Sequence, residues 1–297
     1  MQTNLLLEQH FHGCYGVNFN TATVNEICFL ANKIYKEGVG VIFPTLVTDS
    51  IENIKRQICV IKQAAEKSEP QSAEIAGIHL EGVFLNPEKK GIHDEHLFLT
   101  PTVENYKKIE DDFIKIVTLA PELAQSDLFD YLHSRGVKVQ AGHCVGGDLG
   151  DCDGVTHTFN AMSGISHRGS STALSALVND DIYTEIIADG VHVSDDALRL
   201  LFKTKPNDRV ILISDCLPCT HSDVREFEFA GSRIYFDGNK ATSATGTLAG
   251  STKLLPDIVK ILCKKNLFKP EYVENSYEYH KIKPSGKIDW DEEFNII

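Results

Sequence analysis

Six side chains able to hold a divalent cation or move a proton occur at the ends of apolar runs: His10, His12, Glu81, His143, His157 and Asp215. A lone histidine in such a place is ordinarily a hydrogen-bonded surface or core group. His10-Phe11-His12 carries more, because the two-residue period of an extended strand sends both imidazoles to one side. Glu81 closes the run Ile78-His79-Leu80, where a carboxylate without a cation or a donor beside it would be costly to bury. His143 follows Val137 to Gly142, His157 sits in Thr156-His157-Thr158, and Asp215 follows Val210-Ile211-Leu212-Ile213-Ser214. Together, one glutamate, several histidines and one aspartate match a catalytic Zn2+ or Fe2+ site that keeps a position open for water.

Groups so far apart in sequence need a scaffold that brings strand ends to one place. Short β-type runs alternate with stretches of helical spacing. The strand readings are Leu5–Leu7 leading into His10, Val41–Phe43, Ile75–Leu80, Phe113–Leu119, Val137–Ala141, Val155–Thr158, Tyr183–Ala188 and Val210–Ser214. Helical spacing is read for Val24 to Tyr35, Ile51 to Ala65, Val103–Ile109, Ser126–Ser134, Ser194–Phe202 and Ser251–Cys263. Near-continuous apolar strands alternating with helices imply a parallel sheet covered by helices. Eight such units predict an α/β fold of the (β/α)8 TIM-barrel type, with an open doubly wound sheet as the competitor. In a barrel all strand C-termini open onto one face, which an open sheet would not provide. The expected organisation is a catalytic barrel over 1–268, a small β-hairpin at 227–236 turning at Gly231-Ser232, and a tail over 269–297 with no clear period.

Composition narrows the function classes. The chain has 297 residues, 42% hydrophobic and 24% charged, which is ordinary globular usage. No apolar window is long enough to span a bilayer and the N-terminus does not read as a signal peptide, so a cytoplasmic protein is expected. A formal net charge of −13 disfavours nucleic-acid and membrane partners. The eight cysteines are scattered rather than arranged as a disulfide framework, and Cys216-Leu-Pro-Cys219 stands without a second CxxC.

Several long segments resemble the N-acetylglucosamine-6-phosphate deacetylase family of metal-dependent amidohydrolases. They are Gly77 to Asn86 with Lys90-Gly91-Ile92-His93, Thr156 to Met162 with His167-Arg168, Ala188-Asp189-Gly190-Val191-His192, Ser214-Asp215, and Gly246 to Ser251. The resemblance runs from about His10 to about Leu255. It implies that Glu81, His143 and His157 hold the principal metal, and that His10 and His12 supply a second position, so one or two ions, Zn2+ or Fe2+, are expected. It also implies that Asp215 is the catalytic acid–base and that His93 polarises the acetyl carbonyl. Asn160, Ala161 and His192 would contact the sugar phosphate. Arg168 would bind the phosphate, in this family across a dimer interface, which implies a homodimer.

The reaction so implied is hydrolysis of the acetamide of N-acetylglucosamine 6-phosphate. Alternatives are an amidohydrolase for another N-acyl amino sugar or a cyclic amide, and a non-catalytic sugar-phosphate-binding barrel. Family members usually carry a small β-sandwich built from both termini. Here it would be missing or vestigial, with the tail as a possible remnant. Val83 stands where the family usually has proline, an exchange expected to loosen the loop that sets Glu81.

Overall fold

The computed structural model describes residues 1–297. Eight parallel strands lie side by side in chain order: β1 (Leu6–Phe11), β2 (Val39–Val47), β3 (Ile78–Glu81), β4 (Ile114–Leu119), β5 (Lys138–Ala141), β6 (Gly154–Val155), β7 (Tyr183–Ile187) and β8 (Val210–Ile213). The first and last strands form no ladder, but the sheet curls until they meet. Asp215 N–H donates to His10 O at 2.9 Å, and His12 N–H donates to Cys216 O at 2.9 Å. Glu8 bridges the same seam by accepting the backbone N–H of Ser214 at 3.1 Å. Its burial pushes the carboxyl up to about 8. The sheet is thus nearly closed into an eight-stranded barrel rather than left open.

Helices cover the outside for local reasons. In α1 (Val24–Lys36), Thr23 and Glu26 cap the first turn reciprocally, and Ile27, Leu30, Ala31 and Ile34 form the buried stripe. In α2 (Ile51–Glu66), Ser50 caps Asn53 N–H while Ile54, Ile58, Ile61 and Ala64 face the barrel. The helix expected over Val103–Ile109 is a single turn, α3 (Val103–Tyr106), followed by α4 (Ser126–Ser134), α5 (Thr172–Val178), α6 (Asp195–Thr204) and α7 (Leu255–Lys264). No helix is long and apolar enough to cross a membrane.

After β8 the chain forms a three-stranded antiparallel sheet, β9 (Glu226–Phe229), β10 (Ser232–Phe236) and β11 (Ala241–Ser243). Its first turn is Ala230-Gly231, one residue earlier than the sequence reading placed it. Phe229 and Ile234 of this sheet pack with Val47, Ile92 and Leu217 beside the barrel mouth.

Residues 269–297 are ordered on the opposite end of the barrel. Helix α8 (Glu271–His280) plugs the N-terminal opening: Tyr277 packs against Leu7, Val41, Phe43 and Ile116, and Tyr279 against Ile187, Ile211 and Ile213. The sequence pattern hides this helix because its buried face carries tyrosines, Asn275 and Ser276 rather than aliphatic residues. Lys287–Asp289 then pairs antiparallel with Gln2–Asn4.

Candidate active site

The C-terminal ends of the strands deliver side chains into a cavity of about 330 Å³. Glu81, the last residue of β3, stands at its centre and divides its neighbours into two lobes. Its Oε1 lies 3.0 Å from His157 Nε2 and 3.3 Å from His143 Nε2. Its Oε2 lies 3.2 Å from His12 Nε2 and 3.4 Å from His10 Nε2. Asp215 Oδ1 completes the second lobe, 2.9 Å from His12 Nε2 and 3.6 Å from His10 Nε2. All six residues are buried.

The outward ring nitrogens identify the tautomers. His143 Nδ1–H donates to Lys89 O at 2.8 Å, and His12 Nδ1–H donates to Thr45 O at 3.3 Å. His10 Nδ1–H donates to the Glu185 carboxylate at 3.0 Å. Carbonyls and carboxylates only accept, so the neutral form of each of these rings turns a bare Nε2 lone pair toward Glu81. His10 Nε2 is buried and has no hydrogen-bond partner. Lone pairs facing carboxylates across 3 to 3.6 Å repel unless a cation or protons intervene.

The electrostatics express the same demand. Burial disfavours charge on His10, yet the Glu81 and Glu185 carboxylates outweigh it and hold its pKa well above the usual value. His12 is raised against burial by Asp215 and Glu81. Burial opposes ionisation of Glu81, but His10 and the surrounding imidazoles draw its pKa well below the carboxylate range.

The backbone pays locally for this convergence. His143 (φ 49°), His157 (φ 29°) and Asp215 (φ 52°) all occupy the left-handed region, as do Phe159 and Ala161 beside them. Such conformations cost on the order of 1–3 kcal/mol each for non-glycine residues and cluster at functional sites.

His93 reaches the cavity from the loop after β3. Its Nδ1 lies 2.8 Å from the Thr48 hydroxyl, which itself accepts Val83 N–H at 3.1 Å. That hydroxyl meets no other acceptor, which assigns its proton to Nδ1 and leaves His93's own proton on Nε2, toward the cavity. Burial and the neighbouring His143 keep its pKa well below the usual value, so it is a neutral donor. Val83 therefore does not loosen the loop: it is fully buried, sits at φ 60°, and supplies an N–H that proline lacks. The preceding Gly82 allows the close approach, since a Cβ there would meet Thr48 N at 2.3 Å.

Asn160, Ala161 and His192 also line the cavity. His192 Nδ1–H donates to Asp189 at 2.8 Å, and its buried Nε2 has no partner. Arg168 is not brought in: it is exposed, and its Nε–H donates to His167 Nε2 at 3.0 Å. Thr247, from the matching segment Gly246 to Ser251, lines the cavity too, as do Phe229 and Lys89, which were not singled out. Lys89 is its sole lysine or arginine and forms no ion pair within the chain. Sequence reasoning also missed Thr48 and Glu185. Only Glu185 carries a local signal, an acid in the apolar run Tyr183–Ile187.

No family model matches the chain. N-acetylglucosamine-6-phosphate deacetylase from Bacillus subtilis (strain 168) is 32% identical over 259 residues, covering 83% of this chain and 65% of that protein. N-acetylgalactosamine-6-phosphate deacetylase from Escherichia coli O157:H7 is 28% identical, covering 83% of this chain and 68% of its own length. The chain thus spans about two thirds of the length of these relatives. Among solved structures, N-acetylglucosamine-6-phosphate deacetylase from Pasteurella multocida superposes with a TM-score of 0.88 at 25% identity, covering 99% of this chain and 83% of that one. The chain thus shares its fold with a solved N-acetylglucosamine-6-phosphate deacetylase, and its curated homologues include enzymes of that name.

Proposed function

We propose that the chain hydrolyses the acetamide of N-acetylglucosamine 6-phosphate, releasing acetate and glucosamine 6-phosphate. The observation that carries this reading is the convergence of four imidazole Nε2 atoms and two carboxylates at the barrel mouth. The donor set fits one or two divalent ions, with Glu81, His143 and His157 as one lobe and His10, His12, Glu81 and Asp215 as the other. Its nitrogen and oxygen ligands suit Zn2+, with Fe2+ as the second choice. When bound, such an ion supplies Lewis acidity and lowers the pKa of water to about 7.

The chain's own groups perform the remaining work. Asp215 takes the proton of the attacking water and returns it to the departing amine. His93 Nε2–H donates to the carbonyl oxygen as it gains charge, already oriented by Thr48 before substrate arrives. His192, held by Asp189, and Asn160 contact the sugar. Arg168 lies too far out to serve its own cavity. We assign it to the phosphate in a neighbouring subunit of a homodimer, where it counters a surface of net charge −13. A phosphorylated, anionic substrate that does not cross a bilayer unaided supports a cytoplasmic location.

The test is acetate release from N-acetylglucosamine 6-phosphate, its unphosphorylated form and the galactosamine epimer. We expect the phosphorylated gluco sugar to be preferred. Asp215→Asn should lower kcat by about 10²–10⁴-fold while metal content is retained. Equal rates with and without the phosphate would remove the substrate assignment. An active Asp215→Asn enzyme would remove the proton-transfer role.

A further inference from the structure

Glu185 on β7 is fully buried beneath the site, and every hydrogen bond it makes ties that site to something else. Its Oε2 accepts His10 Nδ1–H at 3.0 Å and His157 N–H at 3.3 Å, one residue from each lobe. Its Oε1 accepts Gln9 Nε2–H at 2.7 Å. Gln9 Oε1 in turn accepts His280 Nε2–H at 3.0 Å, from the last residue of α8. His280 stacks on Phe43 with ring centroids 4.3 Å apart, and burial drives its pKa down to about 3, so it stays neutral.

Gln9 and His10 are consecutive, and strict alternation would send them to opposite faces. The pairing of β1 with β2 is irregular between Glu8 and Phe11, and this lets both reach the same carboxylate. The outcome is an unbroken line of donors: His280 to Gln9, Gln9 to Glu185, and His10 to Glu185 from the other side. Three N–H donors converge on this one side chain, the arrangement of a carboxylate acceptor.

We propose that Glu185 is a positioning residue for His10, braced through Gln9 and His280 by helix α8, and that this brace prepares the second metal position. Fixing Nδ1–H on Glu185 fixes the ring plane and the direction of the bare Nε2. Carboxylates behind metal-bound imidazoles act in this way, and removing one typically weakens metal affinity 10–100-fold. The inference rests on the metal-centre reading above.

The experiment measures metal uptake rather than turnover. Apo-protein is titrated with Co2+, followed by its visible absorption, and with Zn2+, followed by bound metal per chain. Wild type should take up two ions. Glu185→Gln should weaken one of them about 10–100-fold and alter its Co2+ spectrum, leaving the other ion and the unfolding midpoint of the metal-free chain nearly unchanged. In a His10→Asn background the same substitution should add nothing, because the two residues act as one unit. His280→Phe, which keeps the stack on Phe43, should weaken the same ion to a smaller extent and serves should Glu185→Gln not fold. Two ions with wild-type affinity in both variants overturn the inference alone. So does a lowered midpoint with both ions retained. A wild-type chain that takes up a single ion also overturns it, and one that takes up none overturns the metal-centre reading as well.

Discussion

The Thr48 hydroxyl sets the proton of His93, and Thr48→Val removes that hydroxyl while keeping the side chain's shape. Two buried groups then lose their partner: Val83 N–H, 3.1 Å away, and His93 Nδ1, 2.8 Å away. An unsatisfied buried polar group costs about 1–3 kcal/mol, so the low ends sum to about 2 kcal/mol of stability. For a chain of 297 residues, with an unfolding entropy of about 2.1 cal/mol/K per residue, that lowers the midpoint by about 3 °C. The catalytic effect has a floor and a ceiling. With the two tautomers equally populated, half the molecules would lack the Nε2 proton, a loss of about twofold. Complete loss of an oxyanion donor costs about 10²–10³-fold. An unanchored ring falls between, and we expect kcat to drop about tenfold with little change in KM. The assay is acetate release under saturating substrate, alongside thermal unfolding. Thr48→Ser should restore both quantities. A Thr48→Val enzyme with wild-type kcat and an unchanged midpoint would refute the assignment of the His93 proton.

Three further outcomes are expected. Dialysis against a chelator should abolish acetate release and lower the unfolding midpoint, and Zn2+ should restore both; an ion at a hundred times its Kd contributes about 2.7 kcal/mol, so an unchanged midpoint argues against binding. Val83→Pro should destabilise by about 3 kcal/mol or more in denaturant titrations, because proline cannot adopt φ 60° and carries no N–H for Thr48. His221, exposed, lies 3.0 Å from Asp257, which raises its pKa above the ordinary 6.5 against a smaller cost of burial. The opposite shift holds for Asp257, whose burial is outweighed by His221 so that it titrates below 3.8. Stability from the histidine is full below pH 6.5 and is lost as pH rises through its raised value, whereas stability from the aspartate is lost as pH falls through its lowered one. Replacing His221 with Gln should therefore flatten the loss of stability above pH 6.5, by less than about 1 kcal/mol for so exposed a pair, as read from midpoints against pH.

The barrel and the strand-end positions of Glu81, His143, His157 and Asp215 were legible because burial on both faces of a parallel strand leaves a continuous apolar run, and a polar residue ending that run stands out. Helix α8 was not legible, since tyrosine hydroxyls and Asn275 meet backbone acceptors inside the barrel and mask the helical period: Tyr277 O–H donates to Leu5 O and Asn275 Nδ2 to Val210 O. Glu185 and Thr48 act through partners 175 and 45 residues away, pairings that no local spacing encodes. The left-handed conformations at His143, His157 and Asp215 carry no signal in the apolar pattern around them. Val83 shows the limit of reading a substitution by propensity: a lost proline reads as slack, yet the gained N–H is bonded.

The seam between the first and last strands orders events during synthesis. Asp215 N–H donates to His10 O, His12 N–H to Cys216 O, and Leu5 N–H to Gly286 O, so residues of the first strand and its approach find partners more than 200 positions away. Contacts this distant form slowly, because the ends must meet before any bond rewards the meeting. Until residues 214–216 arrive, β1 lacks its backbone partners on that side, and His10 and His12 lack Asp215. Before that closure the sheet exposes an open edge, and the ion-binding mouth is complete only once β1 and β8 meet.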